Sequence, residues 1–377
     1  MTVAHKVQHL SLLIKPASSN CNLRCGYCFY NDVADKRTTS TFGMMTEQTL
    51  EKLVIKVMEA AGESCTFAFQ GGEPTIIGLG YYRQLVELVG RYNIKKIKVN
   101  YTLQTNGLLI NEEWADFLYK NKFLIGLSLD GPRNIHDAMR LDPSGKGTFN
   151  RVMDTVALFN KHKVEYNILC VVNAWVARHV NQVYSFYKKN HFKYLQFIPC
   201  LDPLGENPGG YAYSLSPERF THFLKTLFDE WYRDFINGSK VSIRYFDNLI
   251  GMLLGYPPES CGMSGICTAY LVIEADGGVY PCDYYVLDDW YLGNINTLNF
   301  AEIHNNNVAK HFVQVSEHVS PECRSCKWYG LCRGGCRRNR EPFEDGKPAL
   351  NYYCKSYREF FEYAVERLIY IVKTISQ

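Results

Sequence analysis

The sequence predicts an α/β protein built on a partial (βα)6 barrel, followed by a cysteine-rich C-terminal half. Two observations carry this prediction. Apolar runs of strand length alternate with amphipathic helical stretches up to about residue 204, and the fourteen cysteines fall mostly in clusters. Such alternation implies a parallel sheet with right-handed crossovers. The loops that follow the carboxyl ends of the strands would then carry the chemistry.

The elements follow one another at regular intervals. The six predicted strands are 9–15, 65–69, 97–104, 123–129, 164–172 and 193–200. The predicted helices are 46–61, 79–92, 111–121, 149–162, 176–190 and 216–236. A loop rich in glycine and proline at 205–210 ends this pattern, and a helix at 244–254 competes with a possible strand at 241–246. We therefore expect a barrel at 1–204, a helical connecting segment at 205–257 and a cysteine-rich domain at 258–377.

Length, charge and the N-terminal residues argue against a nucleic-acid-binding, membrane-spanning or secreted protein. A chain of 377 residues is long for one average domain. Its net charge of +3 gives no sign of a nucleic-acid partner, and no apolar run reaches the length of a membrane span. The N-terminal residues lack a signal-peptide pattern, so we expect a cytoplasmic protein, and there clustered cysteines indicate metal.

Three closely spaced cysteines organise the N-terminal half. Cys21, Cys25 and Cys28 form a C-x3-C-x2-C triplet in the loop after the first strand. Pairing into disulfides would leave one thiol over, and zinc would normally need a fourth Cys or His, whereas His5 and His9 lack finger-like spacing. A four-iron cluster held by three thiolates leaves one iron open for a small chelating ligand. The triplet therefore favours an iron–sulfur cluster over a zinc site.

Polar and small residues follow several of the predicted strands. The second strand is followed by Gln70-Gly71-Gly72-Glu73-Pro74, the fourth ends at Ser128, and the sixth is followed by Leu201. Each group alone is typical of an ordinary turn. Because the carboxyl ends of parallel strands meet at one edge, their combination behind the cysteine triplet indicates a site.

A second cysteine array occupies the C-terminal half. Its eight members are Cys261, Cys267, Cys282, Cys323, Cys326, Cys332, Cys336 and Cys354. Eight thiolates suffice for two four-iron clusters with four ligands each. They would equally suffice for two zinc sites with four thiolates each, and spacing alone does not decide between the two metals.

The two arrays together resemble a known family. The triplet and Gly71-Gly72-Glu73-Pro74 are similar to the motifs of the radical S-adenosylmethionine (SAM) superfamily. The C-x9-G-x4-C element that ends at Cys282, the C-x2-C-x5-C-x3-C element that begins at Cys323, and Cys354 resemble the SPASM domain of its peptide maturases. With the additional Cys261, the chain resembles the anaerobic sulfatase-maturating enzymes over roughly residues 10–365. The resemblance implies a barrel of the radical SAM type with a C-terminal SPASM domain.

The resemblance also implies roles for individual residues. Three [4Fe-4S] clusters and SAM would be the cofactors. The radical cluster would be held by Cys21, Cys25 and Cys28, the first auxiliary cluster by Cys261, Cys267, Cys282 and Cys336, and the second by Cys323, Cys326, Cys332 and Cys354. The SAM pocket would include Tyr27, Gly71, Gly72, Glu73, Ser128, Arg140 and Leu201. Tyr30 and Gln70 would bind the substrate, and Asp283 would be the catalytic base.

The implied reaction converts a Cys or Ser side chain of an unfolded sulfatase polypeptide, in a Cys/Ser-x-Pro-x-Arg motif, to Cα-formylglycine. A 5′-deoxyadenosyl radical would take a hydrogen atom from the substrate Cβ. Asp283 would remove the thiol or hydroxyl proton, and one electron would pass to an auxiliary cluster. A flavodoxin or ferredoxin-like protein would supply electrons to start the reaction.

Two other functions remain open at this point. A maturase of ribosomal peptides that forms thioether or carbon–carbon crosslinks would have the same fold and clusters. Such enzymes often carry an additional N-terminal leader-binding domain, whereas the first strand here begins by about residue 9, and we therefore expect the sulfatase substrate. A ferredoxin-like electron carrier would explain the cysteines but not the repeated βα units.

The remaining cysteines and a run of arginines have simpler interpretations. Cys65, Cys170 and Cys200 lie in apolar strand-like runs and are predicted to fill the core. Arg333, Arg337, Arg338 and Arg340 are predicted to form a solvated surface that also offsets the charge of the nearby clusters, and docking of a partner or an acidic electron donor is the alternative.

Overall fold

A computed structural model describes residues 7–343 and 345–376. His5 lies outside the described residues. The ten strands are β1 (Val7–Ile14), β2 (Ala61–Phe69), β3 (Lys98–Thr105), β4 (Phe123–Ser128), β5 (Tyr166–Val172), β6 (Tyr194–Pro199), β7 (Ser242–Ile243), β8 (Leu271–Ile273), β9 (Gly278–Tyr280) and β10 (Gly293–Asn294).

The helices of the described residues alternate with these strands up to β7 and then become short. They are α1 (Phe29–Asp35), α2 (Glu47–Ala60), α3 (Leu79–Tyr92), α4 (Glu112–Lys120), α5 (Arg133–His136), α6 (Phe149–His162), α7 (Ala174–Arg178), α8 (Val180–Lys189), α9 (Pro217–Ile236), α10 (Arg244–Leu253), α11 (Phe300–His304), α12 (Asn307–Ser316), α13 (Pro321–Arg324), α14 (Tyr329–Cys332) and α15 (Cys354–Ile375).

The chain divides into two compact units. The first unit comprises the described residues up to Ser128, Arg140–Tyr166 and Ala269–Phe312, and the second comprises Leu129–Met139, Asn167–Thr268 and the described residues from Val313 onward. Each unit therefore combines segments that are far apart in the sequence.

In the first unit, β1 to β4 are parallel neighbours and form the centre of the sheet. Strand β8 joins the other edge of β1 in parallel, with Ile14 opposite Ile273. Strands β9 and β10 continue from β8 as antiparallel neighbours. The parallel register brings the carboxyl ends of β1, β2 and β8 to the same edge, and the loops that follow β1 and β2 contain most of the predicted site residues.

In the second unit, β5, β6 and β7 are parallel neighbours. Helix α15 packs on α9 and α10, and the rings of Phe228, Phe246 and Phe360 meet there at centroid separations of 5.3 to 5.9 Å. These rings are fully buried and form the aromatic core of the unit.

The predicted alternation of strands and helices is confirmed, with most boundaries within two residues. Two details differ. The helix expected at 176–190 is two helices, Ala174–Arg178 and Val180–Lys189. The first begins earlier than expected because Asn173 accepts the backbone N–H groups of Trp175 and Val176. At 241–246, Ser242–Ile243 is a short strand and the helix begins directly at Arg244. No helix in the described part of the chain is long and apolar enough to cross a membrane.

Candidate active site

The cysteine triplet lies in the loop between β1 and α1. Cys28 is the N-cap residue of α1, and its backbone N–H donates to the carbonyl oxygen of Cys25 at 3.2 Å. Cys21 Sγ accepts the backbone N–H of Leu23 at 3.4 Å. Burial raises the pKa of Cys21 to about 12, and the nearby thiols of Cys25 and Cys28 contribute in the same direction. The structure thus brings the three sulfur atoms into one partly buried site.

The loop after β2 packs tightly against the segment that leads into the triplet. Gly72 has a φ of +54°, and a Cβ atom there would lie 2.2 Å from the carbonyl oxygen of Asn20. At Gly71 a Cβ atom would lie 2.6 Å from Cε of Lys15. Glu73 N–H donates to the same Asn20 oxygen at 2.8 Å. Only glycine fits at these two positions, because any side chain would push the loop away from the triplet.

The carboxylate of Glu73 joins the ends of β2 and β3. Its Oε1 accepts the backbone N–H of Thr75 at 3.0 Å and the hydroxyl groups of Thr75 and Thr105 at 2.6 and 2.7 Å, while Oε2 accepts the backbone N–H of Asn106 at 2.7 Å. The residue is 1 % exposed. Burial raises the pKa of Glu73, although the four donors oppose the shift. Each carboxylate oxygen has two lone pairs, so Oε2, which accepts from one donor, retains capacity for one more.

Tyr27 and Arg140 meet beside the triplet. The guanidinium of Arg140 lies 5.6 Å from the centre of the Tyr27 ring, within the range of a cation–π contact, and both side chains are buried. The backbone N–H of Arg24 donates to the carbonyl oxygen of Leu141 at 2.8 Å, which ties the Arg140 segment to the cysteine loop. These contacts lie within the first unit.

The other two residues predicted for the SAM pocket lie on different units. Ser128 is the last residue of β4 and is partly exposed in the first unit. Leu201 follows β6 by two residues and lies in the second unit.

Asp283 directly follows Cys282, at the start of a single 3-10 turn, and it meets both predicted substrate-binding residues. The hydroxyl of Tyr30 donates to Oδ2 of Asp283 at 2.5 Å. The amide nitrogen of Gln70 donates to the same oxygen at 2.9 Å and to the Tyr30 hydroxyl oxygen at 2.6 Å. The other carboxylate oxygen, Oδ1, is buried and accepts no hydrogen bond from any described residue. The structure therefore unites three residues that are far apart in sequence and leaves one oxygen of the acid unpartnered.

A buried ion pair network lies near Asp283. Burial of the carboxyl group raises the pKa of Asp283 and the charge of Glu274 adds to this rise, whereas the charge of Lys15 and the hydrogen bonds from Tyr30 and Gln70 lower it. Lys15 Nζ lies 2.7 Å from Oε1 of Glu274 and 5.4 Å from the centre of the Tyr30 ring. Arg37 Nη1 also lies 2.7 Å from that Glu274 oxygen, so two cations share one carboxylate. All three side chains of this ion pair network are nearly inaccessible to solvent.

In the second unit, three cysteines of the second array lie together. Cys336 lies beside the thiols of Cys261 and Cys267. Burial raises the pKa of Cys336 to about 12. Cys336 Sγ accepts the backbone N–H of Arg338 at 3.4 Å. The fourth predicted ligand of this cluster, Cys282, lies in the first unit.

The remaining four cysteines of the array form a separate group in the second unit. Burial raises the pKa of Cys332 to about 12, with smaller contributions from Cys354, Cys323 and Cys326 in that order. The backbone N–H of Cys326 donates to the carbonyl oxygen of Cys323 at 3.2 Å. Cys323 and Cys354, which are 31 residues apart in the sequence, thus belong to one group in the structure.

Comparison with known proteins decides the family. The model of the radical SAM superfamily matches residues 16–183, and that of SPASM, an iron–sulfur cluster-binding domain, matches residues 265–327. The chain is 54% identical over 366 residues to a cysteine-type anaerobic sulfatase-maturating enzyme of Clostridium perfringens, covering 97% of this chain and 99% of the relative. The chain belongs to the anaerobic sulfatase-maturating enzymes. It is a radical SAM oxidoreductase.

Two further comparisons agree with this family. A serine-type sulfatase-maturating enzyme of Bacteroides thetaiotaomicron is 31% identical over 391 residues, covering 99% of this chain and 94% of the relative. A solved structure, native anSMEcpe with bound AdoMet and Cp18Cys peptide, superposes with a TM-score of 0.94 and 53% identity, covering 97% of this chain and 99% of that one. The predicted α/β fold of the radical SAM type with a SPASM domain is therefore confirmed.

The sulfur atoms of this sulfatase-maturating enzyme fit iron–sulfur clusters. All fourteen cysteines lie within the described residues, and none forms a disulfide. Cys21 and Cys336 each accept a backbone N–H, and such bonds to sulfur adjust the potential of a cluster. Among the described residues, no three Cys, His, Asp or Glu side chains are arranged to hold a single metal ion. In a four-iron cluster each thiolate binds a different iron, so this finding is compatible with cluster ligation.

The buried ion pair network of Lys15, Glu274 and Arg37 was not predicted from the sequence. A partial signal exists, because Lys15 ends an apolar strand and Glu274 directly follows another. Charges at such positions are rarely buried unless they are paired. Their pairing across 259 residues depends on the parallel contact of β1 with β8, which sequence periodicity does not reveal.

Proposed function

We propose that the protein oxidises a specific cysteine of a sulfatase polypeptide to Cα-formylglycine. The observation that carries the proposal is the environment of Asp283, whose Oδ2 is held by two donors while its buried Oδ1 has no partner among the described residues. A base needs one oxygen fixed and the other available to the reacting proton. The similarity to cysteine-type sulfatase-maturating enzymes supports the same substrate class.

The proposal includes three [4Fe-4S] clusters and SAM. The ligand sets are Cys21, Cys25 and Cys28; Cys261, Cys267, Cys282 and Cys336; and Cys323, Cys326, Cys332 and Cys354. When bound, these groups supply a 5′-deoxyadenosyl radical and an acceptor for one electron. A flavodoxin or ferredoxin-like protein would supply the electron that starts each turnover.

Residues of the loops around the triplet would bind SAM. Glu73 Oε2, with its remaining acceptor position, and the backbone beside Gly71 and Gly72 would hold the methionyl amine. Arg140 and Tyr27 would line the pocket, and Ser128 and Leu201 would complete it.

Asp283 would remove the thiol proton of the substrate cysteine through Oδ1. Tyr30 and Gln70 would keep the carboxylate in place, because both donate to Oδ2. They would also line the place where the substrate side chain lies. The polar network thus aims one oxygen at the substrate and prevents the carboxylate from rotating.

The atoms and electrons of this oxidation balance. A hydrogen atom leaves the substrate Cβ, the thiol proton goes to Asp283, and one electron leaves the substrate for an auxiliary cluster. The substrate thereby loses two electrons and two protons and becomes a thioaldehyde. Water then replaces sulfur with oxygen and releases hydrogen sulfide. A serine substrate would give the aldehyde directly.

Anaerobic incubation with short Cys-x-Pro-x-Arg and Ser-x-Pro-x-Arg peptides tests the substrate. We expect an aldehyde product from the cysteine peptide, detected by mass spectrometry, and slower conversion of the serine peptide. Deuterium placed at the cysteine Cβ should be found in the deoxyadenosine. A product that still keeps its sulfur after prolonged incubation in water and yields no aldehyde on derivatisation would instead indicate crosslinking and overturn the proposal.

Iron content tests the clusters. Reconstituted protein should hold roughly twelve irons, four for each of three clusters. The combined variant C21A/C25A/C28A should hold about eight and form no deoxyadenosine. Zinc together with only one cluster's worth of iron, about four atoms, would contradict the proposed auxiliary clusters.

A further inference from the structure

Three arginines in the turn directly after Cys336 are buried. This corrects the expectation that they form a solvated surface. Arg337, Arg338 and Arg340 are 3 %, 7 % and 5 % exposed, and only Arg333 of the predicted group is partly accessible. They form a single 3-10 turn, Arg337–Arg340, whose N-cap residue is Cys336. Arginine is almost never fully buried unless its charge is compensated, so these residues require an explanation.

The hydrogen bonds of Arg340 go only to backbone oxygens. Its Nη1 donates to His318 O at 3.0 Å, and its Nη2 donates to Ser316 O at 3.0 Å and to Gly265 O at 3.3 Å. Its buried Nε has no hydrogen-bond acceptor in the described part of the chain. None of the carboxylates described by the structure forms an ion pair with Arg340. These bonds satisfy donors but leave a full positive charge in the interior, which is unfavourable by itself.

Two cysteines of the group Cys261, Cys267 and Cys336 lie close to this charge. Cys336 is the N-cap residue of the turn that contains Arg340, and Gly265, whose carbonyl oxygen accepts from Arg340 Nη2 at 3.3 Å, lies two residues before Cys267. Arg337 directly follows Cys336 and is buried as well. Cys267 is attached to the same framework, because its N–H donates at 2.8 Å to the hydroxyl of Ser316, whose carbonyl oxygen accepts from Arg340.

The other cysteine group of the second unit has a different electrostatic environment. Arg358, on α15 four residues after Cys354, is exposed to solvent. Glu322, which precedes Cys323, is exposed as well. Water and salt screen an exposed charge far more than a buried one. The charge of Arg340 is therefore screened less by solvent than that of Arg358.

We propose that Arg340 raises the reduction potential of the auxiliary cluster held by Cys261, Cys267, Cys282 and Cys336 above that of the cluster held by Cys323, Cys326, Cys332 and Cys354. A thiolate-bound cluster becomes more negative by one charge when it accepts an electron, and a buried cation stabilises that reduced form. Net charge and burial are among the features that set such potentials. The charge of Arg340 thus makes the first auxiliary cluster the preferred acceptor of the electron that leaves the substrate. This inference rests on the auxiliary clusters of the proposed function.

The test is a redox titration of the reconstituted holoenzyme, followed by electron paramagnetic resonance at low temperature. Arg340→Gln removes the charge and keeps hydrogen-bonding capacity, while Arg340→Lys keeps the charge. Arg358→Gln is the matched control at the other auxiliary group. Iron content is measured for each variant, so that loss of a cluster is distinguished from a change of its potential.

We expect Arg340→Gln to lower the equilibrium constant for reduction of one auxiliary cluster about tenfold, which for a one-electron couple is about 59 mV. Arg340→Lys should recover most of the shift, and Arg358→Gln should move neither auxiliary potential by a comparable amount. Potentials that stay unchanged in Arg340→Gln with full iron content would overturn the proposal. Absence of two auxiliary signals in the unaltered enzyme would instead show that the proposed clusters are wrong.

Arg337→Gln provides a second route if Arg340→Gln fails to retain iron. It leaves the three carbonyl contacts of Arg340 in place and removes a buried charge next to Cys336. The same cluster should then shift in the same direction, by less than tenfold. A shift confined to the other cluster, or an increase in potential, would contradict the inference.

Discussion

Two carboxylates in the first unit show how differently the same chemical group can be used. Glu73 has four protein donors distributed over both oxygens and is almost completely buried. Asp283 has two donors on one oxygen and none from the described residues on the other. Burial raises the pKa of both groups. Glu73 thus holds the ends of two strands together, whereas the unpartnered oxygen of Asp283 supports our proposal that this carboxylate accepts a proton from the substrate.

The largest expected effect comes from Asp283→Asn, which replaces the proposed base with an uncharged side chain of nearly the same shape. Formylglycine formation should fall by roughly 10²–10⁴-fold, the usual contribution of a general base. Deoxyadenosine should still form in the presence of peptide, with deuterium transferred from the substrate Cβ. Product and deoxyadenosine are measured together by mass spectrometry in single-turnover experiments.

Asp288→Asn is the control for that variant. Asp288 lies five residues further along the same segment and accepts hydrogen bonds from the backbone N–H and hydroxyl of Thr38 at the surface. Its formylglycine yield should remain within a few-fold of the unaltered enzyme. If Asp283→Asn also retained such a yield, another group would be the base.

A smaller effect is expected from Tyr30→Phe, which removes one of the two donors to Asp283 Oδ2. Hydrogen bonds to charged groups contribute about 1.5–3 kcal/mol, so the rate should fall roughly tenfold to a hundredfold. Gln70 still holds the carboxylate, and therefore the loss should be less than in Asp283→Asn. The rate of formylglycine formation at saturating peptide is the measurement, and equal losses in both variants would show that Tyr30 takes part in proton removal itself.

The smallest effect on chemistry is expected from Glu73→Gln, whose main consequence should be lost stability. The side-chain nitrogen of the glutamine would lie against N–H and O–H groups that now donate to the carboxylate. Leaving such buried donors unsatisfied costs about 1–3 kcal/mol of stability. Anaerobic urea unfolding of the holoenzyme measures this loss. SAM affinity should weaken as well, while the product formed per deoxyadenosine should stay unchanged.

Glu87→Gln serves as the comparison for Glu73→Gln. Glu87 lies on the exposed face of α3 and pairs with Arg91 at 3.0 Å, an interaction that is worth little at the surface. Its unfolding curve should match that of the unaltered protein. If Glu73→Gln were as stable as this control but formed deoxyadenosine without product, the distinction between the two buried carboxylates would be lost.

The sequence was sufficient for the fold because the amphipathic pattern is local. Helices α3 and α6 begin and end at the predicted residues, since their apolar positions recur at helical spacing. The start at Ala174 was missed, because it depends on a cap at Asn173 that lies before the predicted start. Short strands such as β8 and β9 were also missed, since three residues carry no detectable period.

The site was predictable only in part, and the reason is physical. The family resemblance implied roles for Asp283, Tyr30 and Gln70 singly, and the structure brings the three side chains together. No periodicity indicates that Oδ1 of Asp283 lacks a partner among the described residues or that Arg340 is buried, because both depend on contacts between distant segments. Arginines close together in sequence are usually solvated, whereas Arg337, Arg338 and Arg340 are buried here.

The ion pair network of Lys15, Arg37 and Glu274 has a consequence for how the protein can be divided. Glu274 Oε1 is the single carboxylate oxygen that both cations approach at 2.7 Å, yet it is encoded 237 residues after Arg37. A fragment ending at residue 204 would retain two interior cations and lose their counterion. Breaking a buried pair in this way typically costs about 3–5 kcal/mol, a large part of the stability of an ordinary domain. Expression of the N-terminal half alone should therefore give insoluble or partly folded protein, and a split version should recover only when both pieces are produced together.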